Sequence, residues 1–559
     1  MPKPVYILGT GLSHNGSAVL LKDGKVCVGI EKERITRRKH DGGNDTEAIQ
    51  YCLDAEGITV DDLSLVVQCA NFEVPSPERF HGARLFAEDS GPRVLSISHH
   101  LAHAWSAAGT CGFDECNILV IDGCGSPYDQ CTDLNAGEIH APSNRADMWC
   151  EKDSFYHFDG QCITTLLKDF SPMNPVSNDE LRLQTTQHSI GGFYAAVSQY
   201  VFGNLADAGK LMGLAPYGKP GAIDKKALRV KDGCLLVNNK WKGKLTKPAA
   251  DYEMFKKDFQ YYADIAYWAQ QEVEEAVVAI FRDRLDRFPH TKVCYTGGVA
   301  LNAVANARLL NEQVVEELYM EPAAGDNGLA LGCAFYGWME VKRKAKLPHN
   351  GTTCFGKSYG DDEILKALDG VSKDWKIKAH TEEEMIRITA GFLSEGKIVG
   401  WFREGAEFGP RALGHRSILA HPETEGLADH INANIKFRED FRPFAPAVLP
   451  EFASKCFESG RLSPYMILVD KTKPEFLETL KNVTHVDGTA RVQTVDKKWN
   501  PGFHRLLQAF QQLTGIAVLL NTSFNKKGMP IVERPEEAIE LFAESAMDVL
   551  VMGNVVVEK

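Results

Sequence analysis

His99 and His103 stand four residues apart in Ser98-His99-His100-Leu101-Ala102-His103-Ala104, a spacing that puts both imidazoles on one face of a helix. Two imidazoles on one face suit a shared metal ion, although an isolated pair of this kind is more often a helix with satisfied core histidines. Two carboxylates are candidate further ligands. Asp122 follows the apolar run Asn117 to Ile121 and opens the turn Asp122-Gly123-Cys124-Gly125. Asp326 lies in Pro322-Ala323-Ala324-Gly325-Asp326-Asn327-Gly328, where its simpler role is an N-terminal helix cap. Together the four would form a mixed nitrogen and oxygen site for iron, zinc or manganese, with positions left for substrate or water. His14, in Ser13-His14-Asn15-Gly16-Ser17, could accept a proton from an attacking hydroxyl, but its spacing alone reads as an ordinary turn residue.

A second group of residues is cationic. Phe408-Gly409-Pro410-Arg411-Ala412-Leu413-Gly414-His415-Arg416-Ser417 supplies two arginines in a glycine-punctuated segment. Ile435 to Pro443 supplies Lys436, Arg438 and Arg442, and its pattern puts Lys436 and Arg438 on the same side of an extended strand. Arg491 and Leu520-Asn521-Thr522-Ser523-Phe524-Asn525 follow. Arginine forks and a lysine point charge suit a polyanion such as a triphosphate. A solvated charged face is the competing reading, and it is weakened because these cations sit among Phe, Pro and Gly. Gly209-Lys210-Leu211-Met212-Gly213 would set a backbone nest and a lysine at a phosphate, but it does not match the G-x-x-x-x-G-K-S/T loop.

The elements that must hold these residues are legible in outline. Val5 to Gly9, Ser17 to Leu21 and Val26 to Ile30 read as a three-stranded meander closed by an Asp-Gly turn, an opening shared by actin-like ATPases, sugar kinases and unrelated hairpins. Asp45 to Glu56 reads as helix and Leu63 to Gln68 as strand. Tyr267 to Phe288 reads as helix, Val293 to Tyr295 as a strand entering Thr296-Gly297-Gly298, and Leu301 to Leu310 as helix. Strand, glycine turn and helix N-terminus make a common phosphate-binding geometry. Residues 341–361 are rich in Lys, Gly, Pro and Asn and mark a boundary, with domains expected at 1–347 and 348–559. Beyond it, Glu382 to Gly396, Phe503 to Leu513 and Pro535 to Glu544 read as helices, and Lys397 to Phe402, Ile516 to Leu520 and Val549 to Val551 as strands.

The 559 residues carry 62 Lys and Arg against 75 Asp and Glu, a net charge of −13 that argues against a nucleic-acid partner. Apolar residues make up 44%, charged residues 25%, and no apolar run reaches 18 residues, so a transmembrane helix is not expected. With no secretory signal pattern, a cytoplasmic protein is expected. The 14 cysteines show no C-x-x-C pair and read mostly as buried free thiols, not as a zinc ribbon.

Taken in order, SHNGSAVLLKDGK, EKERITRRKH, HHLAHA, IDGCG, GKLMGLAPYG, TGGVALN, PAAGDNG, FGPRALGHRS, KFREDFRPFAP, SPYM, HVDGTARVQTV and LNTSFN resemble the O-carbamoyltransferase family of nodulation protein U and of the tobramycin and cephem carbamoyltransferases. The resemblance runs nearly end to end. One departure lies in the first loop, where the family's H-D-A-S reads His14-Asn15-Gly16-Ser17. The resemblance implies an α/β protein. Its first domain is similar to the tRNA threonylcarbamoyl-transferring proteins, with an actin-like (ASKHA, TsaD-like) fold. Its second is similar to the YrdC fold, whose K-x-R and S-x-N signatures match Lys436-Phe437-Arg438 and Ser523-Phe524-Asn525.

Such enzymes form carbamoyl adenylate from carbamoyl phosphate and ATP with Mg2+, then pass the carbamoyl group to a hydroxyl. By analogy His14, Lys436, Arg411 and Ser523 take part in the chemistry. Lys39, Lys210, Gly297, Gly298, Asn302, Arg438, Arg442, Arg491 and Asn525 bind nucleotide or carbamoyl phosphate. His99, His103, Asp122 and Asp326 hold a metal, with Fe2+ the family expectation. The mixed anhydride hydrolyses readily, so a closed passage between the domains is expected. The partners implied are carbamoyl phosphate, ATP and a small hydroxylated acceptor, with no nucleic acid or membrane and with a homodimer admissible. Specificity for that acceptor is expected to reside in stretches such as Asp129 to Gln187. Competing readings are carbamoyl or threonylcarbamoyl transfer to a macromolecule (tRNA or a hydrogenase maturation partner) and a non-catalytic actin-like nucleotide sensor.

Overall fold

The structure, a computed structural model, describes residues 3–43, 45–69, 91–141, 148–174 and 185–559. They form two compact units, Met1–Lys32 with His40–His349 and Glu33–Lys39 with Asn350–Lys559. The short stretch Glu33–Lys39 thus packs with the second unit and not with its neighbours in sequence.

In the first unit, β1 (Tyr6–Gly11), β2 (Ser17–Lys22), β3 (Lys25–Glu31), β4 (Leu63–Cys69) and β5 (Val94–Ser96) form a sheet in the order β3-β2-β1-β4-β5. The first three strands are antiparallel, and β4 and β5 run parallel to β1 and to β4 respectively. Asp23 and Gly24 both take positive φ, 52° and 83°, as the tight hairpin between β2 and β3 requires. A meander continued by parallel crossover strands agrees with the actin-like reading, and the chain as a whole is mixed α/β.

The second sheet contains β6 (Cys116–Ile121), β7 (Glu138–His140), β8 (Trp149–Phe158), β9 (Ile163–Pro172), β12 (Lys292–Thr296) and β13 (Glu317–Met320) in the order β13-β12-β6-β8-β9-β7. A separate hairpin, β10 (Leu228–Lys231) with β11 (Cys234–Val237), lies outside it. All six residues of β6 are buried, because the strand lies between β12 and β8 and is covered on both faces; hence the apolar run from Ile118 to Ile121. Strands β7, β8 and β9 occupy much of the stretch expected to read the acceptor, whose residues 142–147 and 175–184 lie outside the described residues.

Helix His99–Thr110 is buried at all twelve positions, and Ala102, Ala104, Ala107, Ala108 and Gly109 keep it slim enough for that. Its neighbour is helix Leu329–Tyr336, which also packs on β1. Glycines make both approaches possible. A Cβ on Gly332 would stand 1.7 Å from the Ala102 carbonyl oxygen, and one on Gly9 would stand 2.0 Å from that of Ala330. Backbone therefore meets backbone on both sides of Leu329–Tyr336. Helix Phe259–Arg287 begins eight residues before the expected Tyr267, since the aromatic stretch Phe259-Gln260-Tyr261-Tyr262 obscures the helical period.

The second unit is built on one eight-stranded sheet. Its members are β14 (Lys376–Ala379), β15 (Val399–Phe402), β16 (Arg416–Ala420), β17 (Ala445–Val448), β20 (Gln493–Thr494), β21 (Val518–Ser523), β22 (Val549–Met552) and β23 (Val555–Glu558). They are ordered β14-β23-β22-β15-β16-β21-β17-β20, while β18 (Val469–Lys471) and β19 (Thr489–Arg491) pair apart. Met385, Leu393, Phe503, Leu506 and Phe510 from helices Glu382–Ser394 and Pro501–Thr514 cover one face. Ile364, Ala538, Leu541 and Phe542 from helices Asp361–Ala367 and Pro535–Glu544 join the core on the other. Among the described residues no helix is long and apolar enough to cross a membrane.

Candidate functional site

In the first unit the two histidines and two aspartates converge. Helix His99–Thr110 sets His99 and His103 one turn apart, with their Nε2 atoms 3.1 Å from each other. Strand β6 delivers Asp122, whose Oδ2 lies 3.1 Å from His99 Nε2 and 3.8 Å from His103 Nε2. Asp326, in a single 3-10 turn ahead of Leu329–Tyr336, brings Oδ1 to 3.4 Å from His99 Nε2 and 3.8 Å from His103 Nε2. Ligand atoms of all four lie within 4.8 Å of one another, and all four residues are buried. Gly325, not Asp326, stands at the cap of that turn, so the simpler role open to Asp326 in the sequence does not apply.

The charges show what this arrangement needs. Burial opposes a charged imidazole at His99, yet Asp326 and Asp122 outweigh it and raise His99 well above its ordinary value. Burial, aided by His99, drives His103 down to about 4. One proton between two imidazoles thus offsets two buried carboxylates, which remain below the ordinary range because the histidines outweigh their own desolvation. A cation shared by the four groups would do the same with more charge. The donor set and the 3.1 Å spacing of the two nitrogens fit adjacent ligands on an ion bound at about 2.1 Å.

His14 joins this cluster through Nδ1, 3.0 Å from Asp326 Oδ2, while its side chain keeps 28% exposure. Its loop is clamped by residues that the sequence reading passed over. Gly16 N donates to Asp41 O, and Gly43 N to Ser13 O. A Cβ on Gly42 would meet Ser13 O at 2.1 Å, so only glycine allows this approach. Asn15, where the family has Asp, places Oδ1 2.9 Å from His40 Nδ1 and so ties the two loops together.

The glycine turn after β12 serves the same cluster. Gly297 has φ of 90°, and a Cβ there would stand 2.3 Å from Ile121 O. Gly298 N donates to Asp122 Oδ1 at 3.1 Å. A 3-10 turn, Gly298–Leu301, separates this glycine pair from helix Ala303–Asn311, so the expected strand, turn and helix N-terminus are not contiguous. Asn302 caps that helix through Ala305 N and exchanges two hydrogen bonds with Gln270, both 3.0 Å. The expected nest at Lys210 is absent, because Ala208–Leu214 is a short helix in which Lys210 pairs with Asp207 at 2.8 Å.

Since Gly332 lets Leu329–Tyr336 touch the helix bearing both histidines, Gly332→Ala must displace one of them. A loss of about 3 kcal/mol is expected from the overpacking. Thermal unfolding of the purified variant checks this, and an unchanged midpoint would contradict the packing described.

In the second unit the cations converge on Lys436. Its Nζ donates to Ser523 O at 2.6 Å, to Ser523 Oγ at 3.1 Å and to Asn525 Oδ1 at 2.6 Å. Ser523 Oγ in turn donates to Asn525 Oδ1, and Asn525 Nδ2 to Met529 O. The expected extended strand is corrected. Helix Leu427–Ile431 runs into a π-helical turn, Asn432–Lys436, with Ile431 and Ile435 buried, and Phe437 then takes φ of 48°. That left-handed residue, itself 50% exposed, turns the chain between Lys436 and Arg438. Arg438 lies over the Phe444 ring at 4.4 Å and donates from Nε to Asn432 Oδ1.

These cations repel each other. Burial, then Arg438, Arg442 and Lys39, push Lys436 well below the ordinary lysine range. Burial and Arg442 hold Arg411 down to about 10 and Arg438 to about 9. Arg491 is depressed by burial and by Arg411, Arg438 and Arg442. Glu439 faces Arg442 only at 3.8 Å, and the Nε atoms of Arg411 and Arg491 are buried without a hydrogen-bond partner. Burial without counterions is costly, and a polyanion removes the cost.

Two supporting residues were missed. Glu407 accepts the backbone amides of Leu413 and His415, both at 2.7 Å, and so shapes the loop carrying Arg411. Arg34 donates to Gly409 O at 2.6 Å, within the stretch that also carries Lys39. The motif's other arginine, Arg416, is buried with its guanidinium 3.6 Å from the Phe402 ring centroid, donating to Arg403 O, and belongs to the core.

Two family models match this chain: one described as "Carbamoyltransferase N-terminus", over residues 6–74 and 81–335, and one as "Carbamoyltransferase C-terminus", over residues 390–559. An uncharacterized Synechocystis protein, sll1178, is 31% identical over 99% of this chain and 97% of its own. Nodulation protein NolNO of Sinorhizobium fredii is 30% identical over 98% of this chain and 79% of its own. A 3'-hydroxymethylcephem-O-carbamoyltransferase of Amycolatopsis lactamdurans is 31% identical over 61% and 62%. Among solved structures, full-length HypF in a phosphate- and nucleotide-bound form overlaps at a TM-score of 0.37 and 14% identity, covering 60% of this chain and 56% of that one.

Proposed function

The chain belongs to the carbamoyltransferase family, and from that premise we propose that it is an ATP-dependent O-carbamoyltransferase acting on a hydroxyl of a small metabolite. One observation carries the ATP-dependent reading: burial first, then the neighbouring charges of Arg411, Arg438, Arg442 and Lys39, hold Arg411, Lys436, Arg438 and Arg491 below their ordinary values, in a protein of net charge −13. Such a cluster of cations favours a ligand bearing several negative charges, as ATP and carbamoyl phosphate together do.

Atom balance sets the order of steps. Water cleaves carbamoyl phosphate to carbamate and phosphate. A carbamate oxygen then forms a bond to the α-phosphorus of ATP, the bond from that phosphorus to the bridging oxygen breaks, and pyrophosphate leaves as its Mg2+ complex. Lys436 offsets charge where the two anions meet, and Arg411, Arg438, Arg442 and Arg491 hold the phosphates. Ser523 and Asn525 accept the protons of Lys436 and hold it in place, so that it acts on the ligand through its charge.

In the first unit the acceptor hydroxyl attacks the carbamoyl carbon of the adenylate and AMP departs. His14 accepts the hydroxyl proton at Nε2, because Asp326 holds Nδ1. His99, His103, Asp122 and Asp326 would hold a divalent metal, iron by family expectation, which supplies charge neutralisation for the departing phosphate.

The test is incubation of the full-length protein with carbamoyl phosphate, ATP, Mg2+ and a panel of aminoglycoside, β-lactam, macrolide and lipo-oligosaccharide alcohols, read by mass spectrometry. A product heavier by one carbamoyl group is expected, with one AMP and one pyrophosphate formed per product. Carbamoyl product formed without ATP would refute the adenylate route.

A further inference from the structure

Three elements that position the His/Asp cluster also bear sulfur away from it. Cys111 follows helix His99–Thr110 directly, Cys116 opens β6 and Cys294 lies within β12. Their Sγ atoms lie within 4.8 Å of one another, with Cys116 and Cys294 at 3.5 Å. All three residues are at most 1% exposed. Beside them Lys346 Nζ stands 3.3 Å from Cys111 Sγ and donates to Phe113 O at 2.8 Å. An apolar core needs neither three converging thiols nor an ammonium group at their edge.

A Cys116–Cys294 disulfide is not what this geometry prepares. Strands β6 and β12 pair Asn117 with Val293 and Ile118 with Cys294, so Cys116 is two residues out of step with Cys294. Across neighbouring strands that diagonal spans about 8 Å between Cα atoms. Disulfides span about 4.4–6.8 Å. Bridging the pair would require the strands to slip. An ion asks less, since sulfurs bound to zinc at about 2.3 Å sit a little under 4 Å apart.

We propose that Cys111, Cys116 and Cys294 form a three-thiolate site for one soft divalent ion of the zinc class, separate from the His/Asp cluster and independent of the carbamoyl chemistry. Three thiolates and a dication leave one negative charge, which Lys346 offsets. Hydrogen bonds from Cys116 and Cys294, joined by Lys346, outweigh burial and lower the Cys111 thiol below its ordinary value, which favours its thiolate as a ligand. The other two thiols release their protons to solvent as the ion takes their place. Bound there, the ion ties the end of the histidine-bearing helix to the strands that deliver Asp122 and Gly297.

The test uses full-length protein expressed in cobalt-supplemented medium, with Co2+ as the spectroscopic probe. Thiolate-to-cobalt charge transfer in the near ultraviolet reports sulfur ligation, to which an imidazole and carboxylate site does not contribute. A band corresponding to about one cobalt per chain is expected in the wild type and in His99→Ala. It should fall at least tenfold in Cys294→Ser and in Cys111→Ser. Circular dichroism confirms that the variants fold, and if one does not, the other decides. No band in wild-type protein, or an undiminished band in a folded cysteine variant, overturns the site.

Discussion

Replacing Lys436 by alanine is expected to lower carbamoyl-phosphate-dependent pyrophosphate release by roughly 10³-fold, the largest effect of any single cation in the second unit. All three of its ammonium protons go to oxygens of Ser523 and Asn525, so its position is fixed before any ligand arrives. Its neighbours Arg438, Arg442 and Lys39, together with burial, make its charge costly in the free protein. An incoming polyanion turns that cost into attraction, and the residue held most rigidly contributes most. Lys436→Arg should not rescue activity, because a planar fork cannot meet the three acceptors that a tetrahedral ammonium meets. Pyrophosphate release, measured with circular dichroism as the folding control, decides the matter. A folded Lys436→Ala protein that releases pyrophosphate at the wild-type rate would remove adenylate formation from the second unit.

How much of this was legible in the sequence depended on whether a contact was local. His99 and His103 were readable as a pair because a helical turn brings residues four apart together. Asp122 was readable at the end of an unbroken apolar run, and Pro535–Glu544 follows its pattern to the residue. Lys436 and Arg438 were read as sharing one side of a strand because alternation fits a strand. The helical spacing of Ile431 and Ile435 prevailed instead, and it carried the π-helical turn up to Lys436. Strand β17 escaped notice because it contains Pro446, a residue that usually argues against a strand. Gly42 and Glu407 were missed since their partners, Ser13 O and the amides of Leu413 and His415, are backbone atoms that leave no mark on residue type. The thiol cluster was hidden by distance along the chain. Cys111 and Cys116 form no familiar metal motif, and Cys294 comes 178 residues after Cys116.

His14→Asn is expected to leave pyrophosphate release at the wild-type level while slowing carbamoyl transfer to the acceptor by about 10²–10⁴-fold. Asn is the informative replacement because its amide can still donate to Asp326 Oδ2, 3.0 Å from the native Nδ1, so the carboxylate keeps a partner and the loop keeps its shape. What Asn lacks is a basic nitrogen on the far side. The surroundings of His14 favour this separation of roles: its loop is fastened by Asp41 O and Ser13 O, neither of which depends on the imidazole. The adenylate should therefore form normally in the variant and then be lost to hydrolysis, seen as AMP production that outruns product. Two outcomes would sink this assignment. One is a parallel fall in both partial reactions with the fold intact, which would make His14 a support for the cluster alone. The other is unimpaired transfer, which would leave the acceptor's proton to be taken by solvent or by the acceptor itself.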